Sequence, residues 1–466
     1  MTSFTGFFSI TRLISNIYAP GCRVEAFFGN QKLDSIARRH WFSGIFPCFS
    51  LFFGKIVAPF WKTLPVVDRT GSLMCGVWER IEFPAITRPV VVRQTLYFFP
   101  FSKYNNIPTP KKYCACAMNL DDLLPQTCPW LLGNGEESDI VLSCRIRLAR
   151  NLAGYPFPIR ATEQDRRLVC DVVRQAAAKL FIEDEYHFAD VQTLSALDRE
   201  YLFERQLISR EFVEAERTHA ALIDRKERFC VMVNEEDHLR IHATGSGLAP
   251  QTIWKQVNQV DDQLGSKLDY VFHQKYGFLT SCVTNAGTGM RVSAMLHLPA
   301  LVVTNEMDKV ARSLQKANLT VRGLYGEGSK ILGDLYQISN RITLGKSEEE
   351  LIVKMTDLIP QIVAYERKAR EFLIKERREI IFDRCSRAVG VLRTARTIDN
   401  IETIHHLSSL RLGIHTGLLE GIALSTVNSL LLFTQPAHLQ KMQGTALSQA
   451  DQDVVRATYI RQAIGR

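Results

Sequence analysis

Hydrophobic and polar positions change pattern twice between residues 229 and 242. Phe229-Cys-Val-Met-Val233 is an apolar run, which predicts a buried strand. Asn234 to His238 packs acids into a turn. Leu239 and Ile241 then alternate with Arg240 and His242, which predicts a second, half-buried strand. The turn sets carboxylates and an arginine at one strand edge, either as a charged hairpin tip or as part of a site. Upstream, Ser138-Asp-Ile-Val-Leu-Ser143 predicts a strand that delivers Arg145, Arg147 and Arg150. Thr162-Glu-Gln-Asp165 is a capping box ahead of Leu168, Val172, Ala176 and Leu180 at helical spacing. Glu200 to Ala221 predicts a helix charged on its outer face.

Downstream, Ile253, Val257, Val260 and Leu264 mark an amphipathic helix. Leu279 to Met295 predicts a strand end, a turn at Gly287 and Gly289, and a helix beginning near Arg291. Val310, Leu314 and Ala317 mark another helix. Leu319-Thr-Val-Arg322 predicts a strand running into the glycine-rich loop Gly323-Leu-Tyr-Gly-Glu-Gly328. Ser347-Glu-Glu-Glu350 caps a helix extending to about Arg384. Leu410 to Leu432 is apolar, and Gly413, Gly417 and Gly421 predict one small helical face for close packing. Arg411, His415 and Glu420 interrupt that run and argue against a membrane span.

Composition is that of an ordinary globular protein, 46% hydrophobic and 23% charged. The net charge of +8 is unevenly spread. Residues 1–117 hold 14 Lys and Arg against 5 Asp and Glu, which leaves 43 against 44 in the rest. The body is near neutral, so the total does not predict a nucleic-acid surface. The same 117 residues carry 15 of the 26 phenylalanines and no sustained period. Their most apolar window, Phe42 to Trp61, contains Pro47, Lys55 and Pro59 and makes a poor membrane span. The segment fits a membrane-contacting arm, a targeting extension, or upstream sequence read through from an early start. The abrupt change near Met118 favours the last, with a native start at or near that residue. Eleven cysteines without metal spacing predict free thiols in a reducing compartment; Cys114 and Cys116 form a lone CxC.

Candidate chemistry concentrates in four stretches. Arg145 and Arg147, at i and i+2 on a strand, point to one side. Two planar guanidinium forks there suit a polyphosphate, or belong to a solvated edge strand. Cys282 sits just before the glycine turn, where a thiol could meet a substrate or be buried for packing. Arg291 at a helix start opposes the dipole preference, which a bound anion would explain. Arg322 precedes, and Glu327 lies in, a loop whose glycines allow close backbone approach. Gly345-Lys-Ser347 imitates the end of a P-loop, but Asn340 stands where the first glycine would be.

Ser143-Cys-Arg-Ile-Arg147, Asn234-Glu-Glu-Asp-His-Leu-Arg240, Cys282-Val-Thr-Asn-Ala-Gly-Thr-Gly-Met-Arg291 and Arg322-Gly-Leu-Tyr-Gly-Glu327 occur in one order. Together they resemble the phosphagen (guanidino) kinase family, and within it most the bacterial protein-arginine kinases, over roughly residues 130–466. The resemblance implies an α/β fold: an antiparallel sheet flanked by helices, followed by an all-helical C-terminal domain. It implies ATP with Mg2+ and no protein-held metal site. Arg145, Arg147, Arg240, Arg291 and Arg322 would hold the ATP phosphates. Ser143, Cys144, Ile146, Gln206, Val292, Ser293, Ala294, Met295, Gly323, Leu324, Tyr325 and Gly326 would complete the nucleotide site. Glu236 and Glu327 would clamp the substrate guanidinium, with Cys282 beside the reacting nitrogen.

The resemblance further implies a cytoplasmic homodimer in stress-related quality control. Its partners would be proteins with exposed arginines, a zinc-containing activator, a transcriptional repressor as substrate, and a Clp-type unfoldase and protease, with neither nucleic acid nor membrane. The expected division is an extension 1–117, a catalytic domain 118–366 and a helical dimerisation and phosphoarginine-binding domain 367–466. Only residues 118–144 would precede Arg145, too few for the helical lid of metabolic guanidino kinases, so the site suits arginines on proteins better than a free guanidine. Three departures stand out. Gln206 occupies a position usually histidine. Gln452 replaces the first arginine of a phosphoarginine-binding motif whose Asp453, Arg456 and Ala457 are present. Cys144 and Val283 replace serine and proline. The first two keep open a non-catalytic adaptor or phosphoarginine reader; kinase activity on a free guanidino compound is the other alternative.

Overall fold

The computed structural model describes residues 120–124, 126–181, 185–323 and 331–465, with the backbone of two short strands upstream. Those strands, β1 (Val66–Val67) and β2 (Leu73–Met74), pair antiparallel within the unit Met1–Tyr104. The rest of residues 1–117, Met118, and Leu324, Tyr325, Gly326 and Glu327 lie outside the described residues, so the expectations placed there do too.

The unit Asn105–Arg466 is built on eight antiparallel strands. In chain order these are β3 (Val141–Arg150), β4 (Tyr186–Asp190), β5 (Ala220–Asp224), β6 (Phe229–Val233), β7 (Leu239–Ser246), β10 (Met290–His297), β11 (Leu319–Arg322) and β12 (Leu335–Asn340). Across the sheet they run β11-β12-β10-β3-β7-β6-β5-β4. A small hairpin, β8 (Phe272–His273) with β9 (Gly277–Phe278), stands apart. Helices α1 (Glu163–Leu180), α2 (Ala196–Glu204), α3 (Arg210–Glu214), α4 (Pro250–Gly265), α5 (Pro299–Val303) and α6 (Met307–Lys316) fall between strands. After β12 the chain is helical: α7 (Glu348–Glu376), α8 (Arg378–Thr394), α9 (Asn400–His415), α10 (Leu424–Phe433), α11 (Pro436–Gln443) and α12 (Gln449–Ile464). Among the described residues no helix is long and apolar enough to cross a membrane.

Strand period divides the sheet into two unlike faces. Cys144, Ile146, Leu148, Ile241, Ala243, Val292, Ala294 and Ile338 form one buried face. It packs on α1, α4 and α7 through Val173, Ile253, Val257, Met355 and Ile359. On the other face, Ala221, Ile223, Cys230 and Met232 pack against Tyr201, Leu202 and Phe212. Met295 joins Trp130, Leu131, Leu335, Leu432 and Phe433. Between these two apolar clusters lie the arginines.

Several elements differ from their sequence-based expectation. Arg291 is not at a helix start. Met290 to His297 is a strand whose Met290, Val292, Ala294 and Leu296 enter the core while Arg291 and Ser293 face the other way. The dipole argument for Arg291 therefore lapses; its neighbours across the sheet replace it. The glycine turn before it is real: Gly289 has φ +63, and a Cβ there would lie 2.5 Å from the Ala149 carbonyl. The helix expected over Glu200–Ala221 ends at Glu204, because Gln206 takes φ 62. The rest supplies α3 and the start of β5. The expected helix to Arg384 breaks at Arg377 (φ −142) into α7 and α8. Gly417 and Gly421 lie in the α9–α10 turn at φ +69 and +78 rather than on a helical face. Both thus serve chain reversal.

One ion pair fastens the strand edge to the core. Arg150 and Asp261 are both buried; Arg150 Nη2 lies 2.7 Å from Asp261 Oδ2. Arg150 Nη1 also donates to the Ala149 and Thr288 carbonyls at 3.0 and 2.8 Å, and its guanidinium lies 3.6 Å from the Phe278 ring centroid. It thus joins β3, α4, β9 and the glycine turn. Asp261→Ala leaves a buried guanidinium without its counter-charge and should lower stability by about 3–5 kcal/mol. Urea unfolding at pH 7 measures this; a loss under about 1 kcal/mol would mean the pair is not a structural anchor.

Candidate active site

Register places the arginines. Arg147 on β3 is directly opposite Arg291 on β10 and His242 on β7. One row along, Arg145 is opposite Ser293 and Thr244. Arg240 lies two residues before His242 on β7, and Arg322 pairs with Gln337, itself two residues before Ser339, the partner of Ser293. Residues directly opposite share a face, as do residues two apart. All five guanidinium groups are therefore on one face of five adjoining strands. Cys144, Ile146, Val292 and Ala294 point to the opposite, apolar face. Ser143 and Met295 lie at the far end of the cradle, and Gly323 directly follows β11.

Like charges this close perturb one another. Burial, then Arg240, pushes the Arg145 guanidinium down to about 10. Burial, then Arg240, Arg145 and Arg291, holds Arg147 well below the usual range. The Arg145 Nε is buried without a hydrogen-bond partner. Burial opposes the charge on Arg240 as well, but its ion pair with Glu235 outweighs this and raises it. Arg291 Nε donates to Ser339 Oγ at 3.3 Å. A cluster of cations that repel one another on a half-buried surface is the electrostatic form of a polyanion site.

The acid turn gives its three carboxylates three jobs. Asn234, at φ 63, starts the turn and donates through Nδ2 to the Arg166 and Thr218 carbonyls at 2.9 and 3.3 Å. Glu235 points inward, takes Arg240, and accepts from Ser209 Oγ at 2.7 Å. Burial opposes its charge, yet Arg240 holds it down at about 2. Asp237 accepts from Asn151 Nδ2 and the Ser281 amide, both at 2.6 Å, and so fixes the start of the Cys282 loop. Glu236 alone is exposed. It accepts from Asn285 Nδ2 at 3.2 Å, and burial with the charges of Asp237 and Glu235 raises its pKa. His238 receives the Leu152 amide on Nδ1 at 3.0 Å and donates from Nε2 to the Pro156 carbonyl at 2.9 Å.

Cys282 is the one partly exposed thiol among the described cysteines; Cys128, Cys144, Cys170, Cys230 and Cys385 are buried. Its Sγ lies 2.9 Å from Thr284 Oγ1. Asn285, three residues on, reaches Glu236, so the thiol loop and the exposed acid share one rim. Glu235, Asp237, Asn285 and Ser339 were not singled out from sequence. Only the adjacency of Glu235 and Asp237 to Glu236 was visible there, and nothing in it separates the three acids.

Gln206 is half-buried at the end of α2, where it helps line a small pocket with Trp130, Arg205, His242 and Thr244. The C-terminal motif lies elsewhere, on α12. Arg456 is fully buried and donates to the Thr434 and Ile398 carbonyls at 2.8 and 2.9 Å and to Asp453 at 2.5 Å. Gln452 Nε2 turns back to the Leu447 carbonyl at 3.1 Å. Ala457 packs in the cluster with Leu410, Leu430 and Ile460.

The model of the ATP:guanido phosphotransferase C-terminal catalytic domain matches residues 169–369, and that of the protein-arginine kinase McsB C-terminal domain matches residues 378–466. A protein-arginine kinase of Halothermothrix orenii is 41% identical over 345 residues, 74% of this chain and 99% of that protein. One of Pelotomaculum thermopropionicum is 43% identical over 335 residues, 71% and 94% of the two chains. Among solved structures, the duplicated taurocyamine kinase from Schistosoma mansoni with bound transition state analog components superposes with a TM-score of 0.46 at 25% identity, covering 49% of this chain and 33% of that one.

The Glu235–Arg240 pair makes a prediction about acid stability. A carboxyl depressed to about 2 contributes stability above its ordinary value near 4.3, and that contribution is lost as pH falls towards 2. Glu235→Gln should cost about 3 kcal/mol at pH 7 and should flatten stability between about pH 4 and pH 2 relative to wild type. Urea unfolding at several pH values checks both; parallel curves for the two proteins would contradict the assignment.

Proposed function

The chain belongs to the protein-arginine kinases, within the ATP:guanido phosphotransferase family, and on that premise we propose how its residues divide the reaction. The cationic face grips the triphosphate of ATP through Arg145, Arg147, Arg240, Arg291 and Arg322. Ser143, Ser293, Met295, Gly323 and Gln206 border the nucleotide, and the backbone of Cys144, Ile146, Val292 and Ala294 holds the cationic side chains in register. Glu236, at the rim, takes one edge of the substrate guanidinium. Glu327 is assigned the other edge, and Cys282 stands beside the reacting nitrogen.

Phosphoryl transfer asks a protein mainly for alignment and charge neutralisation. A guanidinium keeps its proton above pH 12 and is a poor nucleophile in water. A carboxylate that accepts two of its N–H groups aims the third nitrogen and can receive its proton. As the nitrogen–γ-phosphorus bond forms, the bond from phosphorus to the β–γ bridging oxygen breaks. ADP leaves with that oxygen, and the proton passes to a carboxylate. Glu236, whose pKa is already raised, fits as acceptor. Bound with ATP, Mg2+ supplies further neutralisation of phosphate charge. That ion usually takes substrate phosphates and one or two carboxylates.

The observation that carries this reading is the sharing of one sheet face by five arginines with the exposed Glu236 carboxylate at its rim. We extend it to arginines on proteins as substrate, to marking of those proteins for degradation by a Clp-type machine under stress, and to a cytoplasmic homodimer. A zinc-containing activator and a repressor substrate complete the proposed setting. Gln452 turned towards Leu447 favours a weakened phosphoarginine response through Asp453 and Arg456, not a loss of kinase chemistry.

Incubation with ATP, Mg2+ and casein should yield acid-labile phosphate on protein, with free L-arginine a far poorer acceptor. Glu236→Gln should lower the rate by about 10²–10⁴ while ATP still binds. Unchanged N–P product with Glu236→Gln would remove Glu236 from the chemistry. No product with wild type would favour a non-catalytic adaptor, and equal use of free arginine a small-guanidine kinase.

A further inference from the structure

One of the contacts by which the C-terminal helices reach the nucleotide side of the sheet is a buried histidine. His438, near the start of α11, is fully buried. Its Nδ1 lies 2.7 Å from Glu204 Oε2 and its Nε2 lies 3.4 Å from Arg205 Nη1. Its ring centroid is 4.5 Å from that of Tyr201. Glu204 in turn accepts the Ala437 and His438 amides at 2.7 and 2.9 Å, so the last residue of α2 caps the first turn of α11. Arginine can only donate, so Nε2 accepts from Arg205 and the ring proton lies on Nδ1, facing Glu204.

Arg205 is held as firmly. Its fork spans Glu227 at 2.5 and 2.8 Å, and Nη2 also donates to the Gln126 carbonyl at 2.9 Å. The next residue is Gln206, at φ 62. A non-glycine residue in the left-handed region persists only where its surroundings over-determine it. Here Glu204 and Arg205 do so from one side. On the other side, Gln206 and His242 line the same small pocket. His242 is the residue directly opposite Arg147 in the cationic face.

We propose that His438 is a positioning residue for the nucleotide half of the reaction. It couples the C-terminal helical region to the left-handed turn at Gln206 and thereby tunes the affinity for ATP. The proposal rests on the reading that Gln206 borders the nucleotide.

The test is steady-state kinetics of the full chain on casein, with KM for ATP separated from kcat. Gln206→Ala should raise KM for ATP. His438→Ala should raise it about tenfold, the scale of one charge-assisted hydrogen bond, with kcat within about twofold. His438→Asn, which restores a donor near the Nδ1 position, should return KM towards wild type. In the Gln206→Ala background, His438→Ala should add little, because both act through one turn. Should His438→Ala not fold, His438→Leu keeps most of the volume and loses both hydrogen bonds. A folded His438 variant with wild-type KM for ATP, a fall in kcat at constant KM, or effects that multiply in the double variant would overturn the coupling. A Gln206→Ala enzyme with wild-type KM would instead overturn the reading beneath it, and the proposal with it.

Discussion

Five guanidinium groups on one face of an antiparallel sheet are the constraint to which the rest of the structure answers. Arginines at i and i+2 on β3 leave no choice of side, and the register of β7 and β10 brings Arg240 and Arg291 alongside them. Repulsion among these charges is tolerated because the opposite face carries a large apolar core with α1, α4 and α7. A sheet anchored so firmly on one side can hold an unfavourable charge arrangement on the other. On the proposed reading that arrangement becomes favourable when a polyphosphate arrives, which is where a phosphoryl-transfer enzyme would gain from it.

The acid turn shows how three adjacent residues of one chemical type part company. Glu235 neutralises an arginine, Asp237 ties down the neighbouring loop, and Glu236 faces outward. Direction, not identity, decides the roles. It is set by the left-handed backbone at Asn234 and by the buried anchor of His238. The turn holds Glu236 at the edge of the cationic face because its neighbours are already bonded on either side.

Much of this was legible in the chain. The strand before the acid turn and the alternation after it were plain, because period-two patterning is unambiguous when charged residues occupy one face. The Arg145–Arg147 pair was legible for the same reason. The segment from Met290 to Leu296 was misread because glycines ahead of it resemble a helix start and its polar positions are few. Only pairing with β3 and β12 reveals the alternation. Glu200–Ala221 has helical composition throughout, and its break falls at Gln206, next to residues that α11 contacts from more than 200 residues away. Gly417 and Gly421 shared spacing with Gly413, but spacing does not distinguish a helix face from a turn. Long-range partners, absent from local pattern, surround the first two of these.

The account stands on where the two reactants sit. A crystal structure of the full chain with a non-hydrolysable ATP analogue, Mg2+ and an arginine-containing peptide tests this most directly. The phosphates should contact Arg145, Arg147, Arg240 and Arg291 on the sheet face, with the peptide guanidinium hydrogen-bonded to Glu236 and in line with the terminal phosphorus. Phosphates bound away from that face, or a guanidinium held without Glu236, would contradict it.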